Sequence, residues 1–265
     1  MRIHLLSDLH LESEVFDPLP APGAELLVLA GDIDASWQAL ARFAGWPVPV
    51  LFVAGNHEFD GRELDQAWPA LRAHCAALGI TLLECESVVL AGDDGRRIRF
   101  AGTVRWCDFE LFGAPGSDAF ARALRAGGYF QQVMRATRGG APFDAQAVRA
   151  EALACRDWLA RTLAEAAEVD GVRRWDATVV VTHFAPSERS ADPRYGRQPA
   201  TASFCNADDA LLPLADLWLH GHLHCRHDYL VTRPGGGATR VACQAHGLAA
   251  KGESEGYDAL RLLHA

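Results

Sequence analysis

Short apolar runs, each followed within two residues by Gly, Asp or His, constrain the fold of this chain more than any other sequence feature. Runs of three to five apolar residues are too short for a typical helix and are typical of buried β-strands. Helical patterns over Ser36–Ala44 and Arg62–Leu78 separate the early runs, and this alternation predicts βαβ units and an α/β fold. The runs are Ile3–Leu6, Leu26–Ala30, Val50–Ala54, Thr178–Val181 and Leu217–Leu219.

The middle of the chain has a different pattern, rich in Ala and Arg after Asp108. Asp144 is a predicted N-cap, and the apolar residues after it fall on one face of a helix. These Ala-rich faces are too thin to form a separate core. We therefore predict a single domain over residues 1–265, with a helical insertion at about residues 110–175 laid over the scaffold.

The last third of the chain returns to strand patterns. The further predicted strands are Asp228–Thr232, Arg240–Gln244 and Asp258–Leu263, with a hairpin turn at Pro234–Gly237. No stretch approaches the roughly 18 apolar residues that span a bilayer, and no signal peptide is recognisable, so we expect no membrane segment. Seven cysteines without a CxxC pair predict reduced thiols and a cytoplasmic location.

Five segments place metal-capable side chains directly after a predicted strand. Because α/β sheets bind ligands at the carboxyl ends of their strands, we expect these side chains to gather at one edge. Residues i and i+2 of an extended segment share a face, so Asp8 should point with His10, and His222 with His224. The segments are Asp8-Leu9-His10, Gly31-Asp32, Gly55-Asn56-His57-Glu58, Thr182-His183 and Gly221-His222-Leu223-His224.

Each of these motifs alone is common in turns or as a chance surface pair. Together they offer the mixed nitrogen and oxygen donors that Mn, Fe and Zn sites use. Glycine before Asp32, Asn56 and His222 allows a sharp turn and a close backbone approach. The set as a whole therefore predicts a metal centre.

The ordered set D-x-H, G-D, G-N-H-[DE], H and G-H-x-H resembles the calcineurin-like metallophosphoesterase family. The motifs lie between residues 8 and 224. The resemblance implies an α/β four-layer αββα sandwich of two mixed β-sheets flanked by helices, with a dinuclear metal centre at its edge. It also implies a hydrolase acting on ester bonds, which cleaves phosphoesters by attack of a metal-bridging hydroxide. The cofactors would be two divalent or trivalent ions of Mn, Fe or Zn.

The resemblance also implies roles for individual residues. Asp32 would bridge both ions, His57 would be the catalytic histidine, and Glu58 would orient His57 from outside the ligand set. The first ion would be held by Asp8, His10 and His224, and the second by Asn56, His183 and His222.

The charges of the chain and of the expected metal centre limit the class of substrate. The chain carries a net charge of −9 and no Lys or Arg cluster, which disfavours long nucleic acid as a partner. Two divalent ions nevertheless outweigh the charges of Asp8, Asp32 and a bridging hydroxide, and Asn56 adds none, so the centre itself attracts phosphate. We expect a small phosphorylated metabolite or nucleotide. Monoesters and diesters both remain open, and we favour diesters because a histidine at position 57 assists poor leaving groups.

Three other readings stay open from the sequence. A nuclease of the same fold would cleave nucleic acid in a salt-sensitive way. A catalytically silent protein-interaction module would hydrolyse no aryl phosphate, and a single-zinc hydrolase would bind one ion per chain. Nothing in the sequence specifies an oligomeric state.

Three side chains outside the shared motif are candidates for substrate binding. They are Arg105, Arg189 and His246, each of which follows a predicted strand or lies in a loop near the expected metal edge. A salt bridge is an equal alternative for Arg105. For His4 and His220, which lie within strands, we expect buried, hydrogen-bonded side chains rather than a role in the site.

Overall fold

The computed structural model describes residues 1–265. It contains four α-helices: α1 Leu64–Ala77, α2 Asp118–Ala126, α3 Tyr129–Val133 and α4 Ala145–Leu163. Its strands are β1 Arg2–Leu6, β2 Leu26–Ala30, β3 Val50–Val53, β4 Thr81–Leu82, β5 Glu86–Ala91, β6 Arg97–Thr103, β7 Thr137–Arg138, β8 Ala141–Pro142, β9 Glu168–Val169, β10 Val172–Arg173, β11 Ala177–Thr182, β12 Leu217–His220, β13 His227–Thr232, β14 Ala238–Cys243 and β15 Leu262–His264. The 3₁₀ helices are Gln38–Phe43, His57–Phe59, Glu188–Ser190, Pro199–Ser203, Leu212–Leu214 and Ala249–Lys251. No helix is both long and apolar enough to cross a membrane.

Two large sheets form the centre of the molecule. The first has the strand order β15-β1-β2-β3-β4, with β15 antiparallel and the others parallel. The second has the order β13-β14-β12-β11-β6-β5, with antiparallel strands at both edges and four parallel strands between them. Both sheets are therefore mixed, and the carboxyl ends of the parallel strands in each sheet meet at one edge.

The two sheets pack face to face over a shared apolar core. Leu5 and Val28 of the first sheet lie in one cluster with Phe100, Val179 and Leu219 of the second. Strands that are buried on both faces have continuous apolar sequences. The short apolar runs of the sequence therefore predicted the positions of these strands.

Helices cover the outer faces of the sheets. Leu71 of α1 packs with Phe52 on the first sheet, and Leu159 of α4 packs with Val180 and Trp218 on the second. The layer order is helix, sheet, sheet, helix, which confirms the expected αββα sandwich.

The region of residues 110–175 contains α2, α3 and α4 with two small hairpins, β7–β8 and β9–β10. The predicted cap of α4 is confirmed, since the Asp144 carboxylate accepts hydrogen bonds from the N–H groups of Gln146 and Ala147, both at 3.0 Å. Apolar residues of α4 belong to the clusters on both outer faces. We propose that this region is an insertion in a single domain.

The predicted elements at two places were wrong. Most of Asp258–Leu263 is a turn rather than a strand, because the Asp258 carboxylate accepts the N–H of Leu260 at 3.1 Å and ends the extended conformation. The predicted helix Ser36–Ala44 is a 3₁₀ helix over Gln38–Phe43, preceded by Trp37 in a left-handed conformation with φ of 69°.

Candidate metal centre

The loops that follow β1, β2, β3, β11 and β12 converge at one edge of the two sheets. The expectation that Asp8 and His10 share a face of an extended segment was wrong in its geometry. Both have left-handed backbones, with φ of 54° and 46°, and His222 and His224 repeat this pattern at 73° and 49°. Tight turns rather than strand pleating bring each pair together, and the N–H groups of Asp8 and His10 anchor the first turn on the carbonyls of Gly31 and Asp32.

One group of potential ligand atoms lies where the first ion was expected. Asp8, His10, Asp32 and His224 each present an atom within 4.8 Å of the others. Nε2 of His10 lies 3.0 Å from Nε2 of His224 and 4.0 Å from Oδ2 of Asp32. Nε2 of His224 lies 3.7 Å from Oδ1 of Asp8. Four donors thus face a common point.

A second group consists of Asp32, His183 and His222. Nε2 of His183 lies 3.2 Å from Oδ2 of Asp32 and 3.2 Å from Nδ1 of His222. Although burial opposes its ionisation, His183 and His57 hold the pKa of Asp32 well below its usual range. Asp32 belongs to both groups and is the residue that joins them.

Two buried side chains at the centre have polar atoms without hydrogen-bond partners. These atoms are Oδ2 of Asp32 and both Oδ1 and Nδ2 of Asn56. Buried polar groups in proteins nearly always have a hydrogen-bond partner. Atoms without one at the centre are therefore what we expect of side chains that bind a metal ion.

Hydrogen bonds to residues outside the two groups orient their four histidines. Each donates one ring nitrogen to an oxygen, which fixes its tautomer and leaves the other nitrogen free to bind a metal. The contacts are His10 Nδ1 to Glu12 at 3.1 Å, His183 Nδ1 to the Ala30 carbonyl at 2.9 Å, His222 Nε2 to the Ser203 carbonyl at 3.1 Å and His224 Nδ1 to Glu253 at 2.7 Å. The donor set therefore fits first-row metal ions.

His57 stands beside the two groups and lines the adjoining cavity. Its N–H donates to Oδ1 of Asp32 at 2.9 Å, and its Nδ1 donates to Oδ2 of Asp60 at 2.7 Å. Burial disfavours the charged ring, but the carboxylates of Asp32 and Asp60 outweigh it and raise the pKa of His57 to about 10. In the metal-free protein the His57 ring therefore holds its proton, with Nδ1 fixed on Asp60.

Glu58 does not orient His57, contrary to the expectation. Its buried carboxylate accepts the backbone N–H groups of Asp32 at 3.0 Å, Ile33 at 2.7 Å and Gly55 at 2.6 Å. Glu58 thus holds the loops after β2 and β3 together, and through them the position of Asp32.

Sequence reasoning missed three carboxylates that support the site: Glu12, Asp60 and Glu253. Glu12 and Asp60 lie two and three residues after the histidines that they contact, which was a usable signal. Glu253 lies 29 residues after His224 and no local pattern points to it. Burial opposes its ionisation, but hydrogen bonds from His224 and Leu248 lower the pKa of Glu253 to about 2.

The structure places all three substrate-binding candidates away from the cavity. Arg105 is fully buried, and its guanidinium binds Asp208 at 2.7 Å and Asp108 at 3.0 Å, so of the two alternatives left open the structure shows the salt bridge, buried rather than on the surface. Arg189 is exposed and donates to the Leu230 carbonyl at 3.1 Å. His246 is buried, with its ring 4.8 Å from that of Phe16.

The two strand histidines have the buried, hydrogen-bonded positions that were expected. Nε2 of His4 donates to the carbonyl of Ala259 at 2.8 Å, and Nε2 of His220 lies 3.0 Å from Oγ of Ser190. Burial lowers the pKa of both rings, that of His220 to about 3. Both residues are part of the core.

A cavity of about 310 Å³ opens directly over the centre. Asp32, His57, His222 and His224 form its inner end. Tyr129 of the helical region contributes to its wall, together with the loop between β11 and β12. A ligand in this cavity would contact both ligand groups and His57.

Comparisons with known proteins agree with this geometry. The model of the calcineurin-like phosphoesterase family matches residues 1–226. No sequence among the curated proteins matches the chain. The structure is similar to the crystal structure of phosphopantetheinyl hydrolase (PptH) from Mycobacterium tuberculosis, with a TM-score of 0.69 and 16% identity over 98% of this chain and 95% of that chain. That likeness concerns the fold. The family match, which covers most of the chain and every motif of the site, shows that the protein belongs to the calcineurin-like phosphoesterases, a family of metal-dependent hydrolases.

Proposed function

We propose that this protein hydrolyses small phosphoesters at a centre of two metal ions, each Mn, Fe or Zn. The observation that carries the proposal is the position of Asp32, whose carboxylate belongs to both ligand groups and has a buried oxygen without a hydrogen-bond partner. A bridging carboxylate is what a pair of ions requires.

The proposed ligands form two sets that share Asp32. Asp8, His10 and His224 would complete the site of one ion, and the second ion would be held by Asn56, His183 and His222. Asn56 completes the second set as a neutral ligand, which keeps that side of the centre electropositive. The buried, unpaired amide of Asn56 supports this assignment.

When bound, two such ions polarise a phosphate oxygen and make hydroxide available near neutral pH. The chain then supplies the proton for the departing alcohol. His57 lines the cavity, and its Nδ1 donates to Asp60, which orients the ring and favours its charged form. Proton donation of this kind typically contributes about 10²–10⁴-fold to the rate.

We favour phosphodiesters of small molecules over phosphomonoesters, since a proton donor matters most for a poor alkoxide leaving group. A cavity of about 310 Å³ suits a small ligand, and the net charge of −9 weighs against long nucleic acid. All seven cysteines are free, which supports a reducing compartment such as the cytoplasm.

The test is hydrolysis of 4-nitrophenyl phosphate and bis(4-nitrophenyl) phosphate after metal removal and reconstitution with Mn²⁺, Fe²⁺ or Zn²⁺. We expect turnover that needs metal and falls at least about a thousandfold in Asp32→Ala, because both ions lose a ligand. Full activity of the metal-stripped protein or of Asp32→Ala would contradict the proposal. Hydrolysis of neither ester by the loaded protein would favour an interaction module, and salt-sensitive plasmid cleavage would favour a nuclease.

A further inference from the structure

The cavity over the metal centre extends well past the metal ligands. Residues between Ala191 and Thr201, together with Lys251, line the rest of it. Its volume of about 310 Å³ falls within the range of sites that hold an organic ligand, about 300–1,000 Å³. The space therefore accommodates the organic part of a phosphoester as well as the phosphate.

Lys251 is the only lysine of the chain and the only Lys or Arg side chain on the cavity wall. The two carboxylates of the outer wall are already paired. Asp192 binds Arg194 at 2.6 Å, and Glu253 accepts a hydrogen bond from His224 at 2.7 Å. The ammonium group of Lys251 lies close enough to Glu253 to help lower the pKa of that carboxyl, but it forms no salt bridge or hydrogen bond there, so its N–H groups can donate to an anion.

The backbone that carries Lys251 is fixed relative to the metal centre. The Glu253 carboxylate that holds His224 also accepts the N–H of Leu248 at 2.9 Å. The N–H of Lys251 donates to the Leu248 carbonyl at 3.0 Å, which closes the turn. One carboxylate thus positions both a proposed metal ligand and the turn that carries Lys251.

Aromatic side chains line the same cavity as Lys251. The ring of Phe204 stacks on that of His222 with centroids 5.0 Å apart. Tyr129 and Tyr195 also line the cavity, and their hydroxyl groups have no hydrogen-bond partner in the protein. This wall suits an organic group with an apolar body and some polar atoms.

We infer that Lys251 is a specificity residue, and that the preferred substrate is a phosphoester whose organic group carries a second phosphate. The inference rests on the proposed function, because it requires the scissile phosphate at the metal centre. A lysine ammonium binds phosphate as a compact point charge. In a protein with a net charge of −9, a single unpaired cation on this wall discriminates between organic groups with and without an anion.

The test begins with the two 4-nitrophenyl esters, which show the class of ester that the metal-loaded protein cleaves. In that class, kcat/KM is compared for alkyl esters of different chain lengths that end in a phosphonate or in a methyl group. We expect the phosphonate to raise kcat/KM about tenfold at the best length, as a charged contact does. The ratio should approach one in Lys251→Gln and be largely retained in Lys251→Arg.

Arg96→Gln is the matched control, since it removes one positive charge just before β6, at the opposite end of the sheet. It should keep the wild-type ratio. Equal kcat/KM for both tails at every length, or a preference that survives Lys251→Gln, overturns this inference while hydrolysis itself upholds the proposed function. Absence of hydrolysis in both ester classes overturns the proposed function.

Discussion

The contact between His57 and Asp60 follows from the turn that carries them. His57–Phe59 is a 3₁₀ helix, in which side chains at i and i+3 lie over one another. Asp60 is therefore on the same side as His57, whereas Glu58 points to the loops after β2 and β3. The family resemblance implied that Glu58 orients His57, but neighbouring side chains of a helical turn point in different directions.

This geometry predicts the pH dependence of Asp60→Asn. The Asp32 and Asp60 carboxylates raise the pKa of His57 because they stabilise its charged ring. Removing the charge of Asp60 lowers that pKa, so the alkaline limb of the kcat profile should move to lower pH. For an alkyl ester we expect little loss at pH 8 and a loss that grows to several-fold near pH 10, where the wild-type ring still holds part of its proton.

The measurement is the pH–rate profile of Asp60→Asn with an alkyl ester and with a 4-nitrophenyl ester. The good leaving group needs little protonation, so its rate should change much less. Asp65→Asn, on the exposed first turn of α1, is the control. An unshifted alkaline limb in Asp60→Asn would show that His57 is not the acid.

The residues that we propose as ligands could be located from the sequence because each follows a buried strand within a few residues. Their supporting residues were predictable only where they are local, as for Glu12. The hydrogen bond between His224 and Glu253 depends on the path of the chain after β14. No periodic pattern in the sequence predicts that path. The burial of Arg105 depends on Asp208, which lies 103 residues away.

At the scale of elements, the strand ends position the site through close backbone packing. An added Cβ at Gly221 would lie 2.6 Å from Oδ2 of Asp8 and 2.8 Å from the Ala30 carbonyl. The glycine before His222 therefore lets β12 approach the turn after β1. The sequence expectation of a close backbone approach at this position is confirmed.

We predict that Gly221→Ala loses metal affinity by about 10–100-fold, because the methyl group displaces the Asp8 carboxylate. Titration of the metal-free protein with Mn²⁺ measures this. Gly95→Ala is the control for lost stability alone, because Gly95 has a φ of 79° but open space around it. If both variants bind metal equally well, close packing at Gly221 does not matter for the site.

Strands buried on both faces were easier to predict than the edge strands and turns. β2 was predicted with its observed bounds. The edge strand β5 alternates exposed and half-buried residues and was missed, since a partly solvated strand has no continuous apolar run. The start of β15 was misplaced because a side-chain hydrogen bond of Asp258 overrides the apolar pattern.

At the scale of the whole molecule, an acidic protein presents a site for anions. The net charge of the chain is −9, but the acidic residues of the cavity wall already have partners: Asp192 pairs with Arg194, and Glu253 accepts hydrogen bonds from His224 and Leu248. The carboxylates of the centre are buried among histidines. Metal ions at this point would attract phosphate locally, while the surface as a whole repels long polyanions.

The central claim is that Asp32 joins two ions in one centre. Electron paramagnetic resonance of the Mn²⁺-loaded protein, together with the metal content per chain, tests it most directly. We predict two Mn²⁺ per chain with the signal of an exchange-coupled pair, and loss of that coupling in Asp32→Ala. One Mn²⁺ per chain, or two magnetically isolated ions at full activity, would contradict the account.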